Sequence, residues 1–421
     1  MLNRLLALDI LRGITILFMV IVNNPGSWNA VYAPLLHAEW NGCTPTDLVF
    51  PFFIVIVGIA IPFANPNPKC SLENFSKITS RSLRLIYLGL FLNCFNLIQI
   101  DYVSQNQLLI IRLIFTVLIG IALFGNFKEQ LKLMLAIPIF CSFILVAFFT
   151  ETFENLRLMG VLQRIGLVYF IATLCYFCCS KYKLIFVASV LLIGYWLLLV
   201  LVPVPNSMQI SLEKGTNLVA YIDQILLRNH VLIATKPWDP EGVLSTFPAI
   251  AQAIIGILIG TVLKQNIYFH KKFYFLFAIG LLFFIIGSSW AMIFPLNKIL
   301  WSSSFVMFTT GIAMLFLAFL FYISHAKFLK KFLIPFQIWG LNPILIFFLS
   351  GIIPRILAMI KCQNPANLNE TISIQTYFFN TFLIPNFDCP KDASLFYAFL
   401  YVAFFFLLLY ILFKRKIVIK V

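Results

Sequence analysis

A single stretch, Asn23 to Phe53 (NNPGSWNAVYAPLLHAEWNGCTPTDLVFPFF), gathers most of the chemistry-bearing side chains of the first part of the chain. His37 lies there with Glu39, Asn41 and Asp47, and Asn23 and Asn24 open the stretch. Imidazole is the side chain best suited to accept a proton near neutral pH, which acyl transfer requires of its general base. A carboxylate or amide nearby can orient the ring, and the amide of Asn23 can donate to an oxygen that gains negative charge. Taken alone, a histidine in a membrane-flanking loop is more often a hydrogen-bonded structural residue. The neighbours shift the balance, because unpaired polar groups beside a hydrocarbon layer are costly and are kept where they act. Asp47, at the head of TDLVFPFF, equally suits a helix N-cap.

Further polar groups recur near the ends of apolar runs. Gln163 and Arg164 open one such run, where an arginine either snorkels or meets an acid or a substrate anion. The segment from Tyr221 to Ile250 holds Asp223, His230, Trp238, Asp239, Glu241 and Ser245. Its Asp-Pro-Glu-Gly is a turn sequence, and its two carboxylates with an indole also make a sugar or ammonium subsite. Asn297, Lys298, Trp301, Ser302 and Ser303 fall together in PLNKILWSSSF, and Asn342 falls within WGLNPILIF. These groups are expected to form a polar ring near one membrane face. Asp9 and Arg12, three residues apart, can pair across one helical turn. His270 and His325 sit among lysines in basic loops and read as ordinary. Cys362 and Cys389 share a loop and could pair, whereas the cluster ending at Cys179 reads as small core residues. The sequence holds no Walker loop, HExxH helix or paired CxxC, so no metal site is expected.

The elements that position these groups are membrane helices. Of 421 residues, 62% are hydrophobic and 11% charged, 47 are Phe, and the mean hydropathy is +0.98. A soluble domain has an apolar share of roughly half. The expected fold is an all-α polytopic membrane protein in one domain, 1–421. About twelve spans are predicted, near 8–24, 47–64, 82–100, 108–125, 131–149, 159–179, 184–202, 246–263, 273–294, 300–323, 332–358 and 394–413. The first reads as an uncleaved span, since no small-residue cleavage site follows it. Pro335, Pro343 and Pro354 predict kinks or a break in the 332–358 segment.

The net charge of +15 reflects topology and implies no nucleic-acid partner. Twenty of the thirty Lys and Arg, among them Arg4, Arg12, Lys77, Arg81, Lys272, Lys327, Lys330 and Lys420, fall on one side of the predicted spans. The positive-inside rule makes that side cytoplasmic, with both termini there. Only Asp9, Glu73 and Glu129 among the acids share that side.

In order along the chain, LDILRG, VNN, HAEWNGCTPTDLVFPFF, GVLQRIGLVYF, YIDQILLRNH, DPEGVLSTFPAI, NKILWSSSF and LNPIL carry a resemblance to the heparan-alpha-glucosaminide N-acetyltransferase family. The resemblance implies a transmembrane acyltransferase that moves an acetyl group from cytoplasmic acetyl-CoA to an amine or hydroxyl of an extracytoplasmic sugar or glycan. It implies His37 as the catalytic histidine with Asn23 beside it in the site. Supporting or substrate-binding roles go to Asp47, Asn41, Arg164, Asp239, Glu241, His230, Trp301, Ser302 and Asn342. Two departures stand out: the chain has no counterpart of the family's luminal domain and first span, and 108–149 reads as a two-helix insertion. The first points to a bacterial relative in the cytoplasmic membrane. Acetyl-CoA, a glycan acceptor and the lipid bilayer are the expected partners, with homodimerisation left open. The alternative reading is a transporter or flippase for a glycan or small solute, which many spans and proline-broken helices also fit.

Overall fold

The computed structural model describes residues 5–66, 68–205, 207–326, 328–365 and 367–419. Arg4, Lys327 and Lys420, three of the basic residues used for orientation, lie outside them.

Helices dominate. They are α1 (Leu6–Asn23), α2 (Val49–Ala64), α3 (Leu72–Cys94), α4 (Gln105–Phe124), α5 (Glu129–Phe149), α6 (Val161–Cys178), α7 (Lys181–Leu201), α8 (Leu218–Leu227), α9 (Thr246–Lys264), α10 (Phe269–Trp290), α11 (Ser303–His325), α12 (Lys330–Leu341), α13 (Pro343–Met359), α14 (Ile374–Phe378) and α15 (Pro390–Lys414). Among the described residues, 10 helices are long and apolar enough to cross a membrane, and α12 with α13, bent by 68°, forms a broken span or a re-entrant loop. The protein is therefore a multi-pass membrane protein. The bend falls at Asn342-Pro343, where proline has no N–H to continue the helical ladder. Each predicted span coincides with a helix or with this pair. The poorest match is α3, which starts at Leu72, well before the predicted 82. Its first turns carry Glu73, Lys77, Arg81 and Arg84, so they are helical but too charged to read as a span. Between α13 and α14 the chain forms one antiparallel hairpin, β1 (Lys361–Asn364) and β2 (Asn367–Ser373), a small departure from an all-helical fold.

Packing sorts the helices into an inner set and a rim. The span of α9 is 78% buried, against 11% for α5 and 17% for α4 and α10. The predicted insertion, α4 and α5, thus sits at the periphery and packs on α3 chiefly through α5. In the inner set the helices approach to backbone contact. On α9, Gly256 and Gly260 form a small-xxx-small pair that faces Gly58 of α2. A Cβ on Gly58 would lie 2.3 Å from the Ala253 carbonyl oxygen, and one on Gly260 would lie 2.4 Å from that of Ile59. The α1–α12 crossing is tighter still, since a Cβ on Gly340 would meet the Asp9 oxygen at 1.9 Å. There the expected pair forms: Arg12 Nη1 donates to Asp9 Oδ1 at 2.9 Å, and also to the Gly340 carbonyl at 3.3 Å.

Gly58→Ala is expected to destabilise the protein by about 1–3 kcal/mol, because the new methyl meets backbone that cannot step aside. Gly120→Ala on α4, where nothing lies within 4 Å, is the neutral control. Thermal unfolding of both variants in detergent checks this, and equal midpoints would contradict the packing described.

Candidate active site

The site is built on the buried head of α2. Pro45 to Leu48 form a short 3-10 turn leading into that helix, and Asp47 within it is fully buried. Burying a carboxylate is costly unless its lone pairs are filled. They are: Asp47 Oδ2 accepts from the Ala38 N–H at 3.0 Å, the Thr44 N–H at 3.1 Å and the Thr44 hydroxyl at 3.0 Å. Its Oδ1 lies 2.7 Å from His37 Nδ1. A carboxylate so supplied acts only as an acceptor, so Nδ1 carries the ring proton and Nε2 keeps its lone pair. The His37 side chain is 56% exposed, so the ring is open to an incoming group.

Lys298 completes the group from the far end of the chain. Its Nζ lies 3.0 Å from His37 Nδ1, 3.3 Å from Nε2 and 3.5 Å from Asp47 Oδ1. Burial lowers the Lys298 pKa, opposed by Asp47 and Glu241. In the sequence Lys298 was visible only as one polar residue among several in PLNKILWSSSF. Nothing there marked it as a neighbour of His37, 261 positions away.

The loop between α1 and α2 is held on several sides. Gly26 N–H donates to the Ser394 carbonyl, and the Tyr32 hydroxyl donates to Asp392 at 2.6 Å, both at the start of α15. Gly42 N–H donates to the Leu296 carbonyl at 2.8 Å, and Trp40 Nε1 donates to the Leu212 carbonyl at 3.1 Å. Asn297 Nδ2 donates to Asn41 Oδ1 at 3.2 Å, which joins this loop to the one that bears Lys298. Ser302 caps α11, accepting from Phe305 N–H, and its hydroxyl donates to the Pro295 carbonyl. Trp301 stands in the left-handed region at φ 51°, a conformation a bulky residue keeps only when its surroundings dictate it. They do: its indole N–H donates to Gln252 Oε1, and its ring is boxed by Phe50, Phe305 and Arg164.

The acids predicted as a subsite are instead locked by an arginine. Arg157 forms a two-pronged pair with Asp239, at 2.7 and 2.6 Å, and also reaches Glu241. Burial opposes ionisation of Glu241, but Arg157, Arg164 and Lys298 hold its pKa below the usual value. Asp223 accepts from the N–H groups of Asp239 and Val243, and burial pushes its pKa up to about 6. Arg164 is fully buried; one Nη donates to Ser245 and to the Gly242 carbonyl, while Nε and the other Nη have no hydrogen bond. His230 anchors the same region, with Nδ1 donating to the Leu156 carbonyl at 2.9 Å. Arg157 was not singled out in the sequence, since it sits in an unremarkable loop, NLRLMG.

Two adjoining cavities lie within the bundle, and the second reaches this cluster at Arg157. The first, about 280 Å³, is lined by Arg12, Arg81, Phe53, Tyr169 and Pro343, and by Val418 and Ile419 of the C-terminal segment. The second, about 370 Å³, is lined by Asn23, Trp28, Asn93, Arg157, Gln163 and Arg355. Leu162 and Phe347 line both, so the two share a wall. Asn23 therefore faces a cavity with its side-chain amide unbonded, while His37 is not among the cavity's lining residues and makes no hydrogen bond to Asn23. Arg157 spans the gap, lining the second cavity and gripping Glu241, whose charge Lys298 feels. Asn342 lies elsewhere. Its amide holds the Ile417 carbonyl and the Ile419 N–H beside the first cavity, at the opposite end of the bundle from the polar ring. The reason is the break before Pro343, which frees an asparagine amide to brace the C-terminal segment. All nine cysteines are free, Cys362 and Cys389 included. Among the described residues no group of three or more His, Cys, Asp or Glu could hold a metal ion.

No known family profile matches the chain. It is 27% identical over 399 residues to mouse heparan-alpha-glucosaminide N-acetyltransferase and 27% over 394 residues to the human protein, matches that take in 82% of this chain. It is a distant relative of these acetyltransferases. The chain spans about half the length of the curated relatives it matches, 53% and 52%.

Removing Arg157 leaves two buried carboxylates without their cation, and loss of one partner of a buried pair costs about 3–5 kcal/mol. Arg157→Ala is expected to lower stability by that order near neutral pH. The sign follows from Glu241. Its folded pKa lies below 4.5, so the stability it contributes is present above 4.5 and is lost as pH falls through the folded value. The deficit of Arg157→Ala should therefore shrink on acidification. Unfolding midpoints of both proteins across this range test it.

Proposed function

We propose that this protein is a transmembrane acetyltransferase in which His37 is the general base. The observation that carries the reading is the His37–Asp47 pair, a half-exposed imidazole held by a fully buried carboxylate, with Lys298 Nζ beside its Nε2. Support comes from the 27% identity to proteins named as N-acetyltransferases, and from cavities that approach this cluster from within the bundle.

Acetyl-CoA, when bound, supplies an activated acetyl thioester. The residues that suit it line the two cavities. Arg81 in the first has a buried Nε without a hydrogen bond and lies over the Tyr169 ring, and Gln163 in the second has an unbonded Nε2. Such groups fit phosphate and amide oxygens that would enter from the end bearing Arg12. Outside, the acceptor is an amine or hydroxyl of a sugar, received around His37, Glu39 and Asn41. His37 Nε2 takes the acceptor proton as the acceptor nitrogen or oxygen bonds the acetyl carbonyl carbon, Asp47 steadies the resulting imidazolium through Nδ1–H, and Lys298 supplies positive charge where the acyl oxygen gains negative charge; the thioester C–S bond then breaks, and the proton on His37 leaves with coenzyme A as its thiol. Asn23, whose side chain faces the second cavity, would hold an amide or carbonyl oxygen of acetyl-CoA there, short of the acyl group at His37. Arg164, Trp301 and Ser302 position the Lys298 loop, and Asp239 and Glu241 act through Arg157.

Purified protein incubated with labelled acetyl-CoA and a panel of amino sugars should yield acetylated sugar. His37→Ala should reduce turnover by about a hundredfold to ten-thousandfold. Lys298→Met should also lower turnover while leaving the fold intact, as judged by unfolding. Wild-type rates from His37→Ala would refute the assignment. Solute counterflow in liposomes with no acetylated product would favour a transporter.

A further inference from the structure

A third cavity, about 550 Å³, opens at the end of the bundle opposite the polar ring, where the N-terminal ends of α1, α10 and α12 meet the C-terminal end of α11. It is remote from His37 and shares no lining residue with the other two cavities. Its polar wall is wholly basic: Lys272, Lys330 and His325 line it together with Ser324, and no Asp or Glu does. Neither lysine has a hydrogen bond or an ion pair among the described residues, unlike Lys77, Lys132 and Lys264 on the same side of the protein, which bond Glu73, Glu129 and the Pro66 carbonyl.

His325 is poised in a particular way. Its Nδ1 lies 2.9 Å from the Phe321 carbonyl, which can only accept, so Nδ1 carries the proton. The ring packs on Phe269, centroids 3.9 Å apart, and Nε2 has no partner. The first turn of α10 lies beside the cavity, and the opening turn of a helix presents unbonded N–H groups and a positive dipole end; at α12 the Lys330 N–H is instead bonded to the Ala326 carbonyl. The rest of the lining is apolar, including Leu6, Phe269 and Phe321. Lys272 is half-buried in the wall of this cavity and Lys330 stands exposed at its mouth.

We propose that this cavity binds the phosphate of an anionic phospholipid. The phosphodiester sits between Lys272, Lys330 and Ser324, and the start of an acyl chain lies against Leu6 and Phe321. The lipid, rather than a soluble phosphate compound, is favoured by the apolar wall and by α10, a rim helix whose span is only 17% buried and so faces the bilayer. The proposal is independent of the acetyltransferase reading.

The test is native mass spectrometry of the full-length protein in detergent, titrated with phosphatidylglycerol or phosphatidylcholine. Wild type should retain a phosphatidylglycerol that phosphatidylcholine does not replace. Lys272→Gln/Lys330→Gln should bind it roughly 25-fold more weakly, about fivefold for each lysine near a membrane surface. Lys272→Arg/Lys330→Arg keeps the charge and should bind within a fewfold of wild type, which guards against a folding artefact. Equal phosphatidylglycerol retention by the Gln pair and wild type would overturn the site. Displacement of the lipid by millimolar inorganic phosphate would overturn the lipid as its occupant.

Discussion

A buried carboxylate at the head of a membrane helix must be fully supplied with hydrogen bonds, and one end of this bundle is arranged to meet that demand. Asp47 has no water to turn to, so the chain brings it two backbone N–H groups, a hydroxyl and an imidazole. Those donors come from Ala38, Thr44 and His37. Satisfying one side chain therefore also folds the loop and orients the ring. Structure and chemistry share a cause here, since the pair that stabilises the loop also selects the histidine tautomer that can accept a proton.

A second constraint acts at longer range. Lys298, Glu241, Arg157 and Asp239 form a run of alternating charge, half-buried to fully buried, from His37 to the second cavity. Buried charges survive only when paired, so these three segments, distant in sequence, are held in register partly by electrostatics. The glycine contacts of α2 with α9 and of α1 with α12 provide the rigid frame on which that register depends. The bent α12–α13 pair and Asn342 brace the other end, beside the cavity lined by Arg12 and Arg81.

The distant relationship to the mouse and human acetyltransferases fits this division of labour. The LDILRG segment supplies the Asp9–Arg12 pair, HAEWNGCTPTDL supplies His37 and Asp47, and DPEG supplies the acids that Arg157 grips. The peripheral α4 and α5 supply none of these groups, and α5 meets the site region only at its end, where Phe148 packs edge-on against His230.

The sequence by itself determined the class of fold, nearly every helix, the pairing of Asp9 with Arg12 and the nearness of His37 to Asp47. Each rests on local physics: runs of apolar residues long enough to cross a bilayer, a helical spacing of three, and a short loop that leaves an acid little choice of partner. Only tertiary structure decided that Lys298 sits on the imidazole, that Arg157 claims both acids of the DPEG turn, and that Asn342 lies at the end opposite the polar ring. It also decided that Asn23 faces a cavity without touching His37. In each case the partners are far apart in the chain or face different sides of one helix end, and a spacing pattern holds no information about which distant charge a buried group will find.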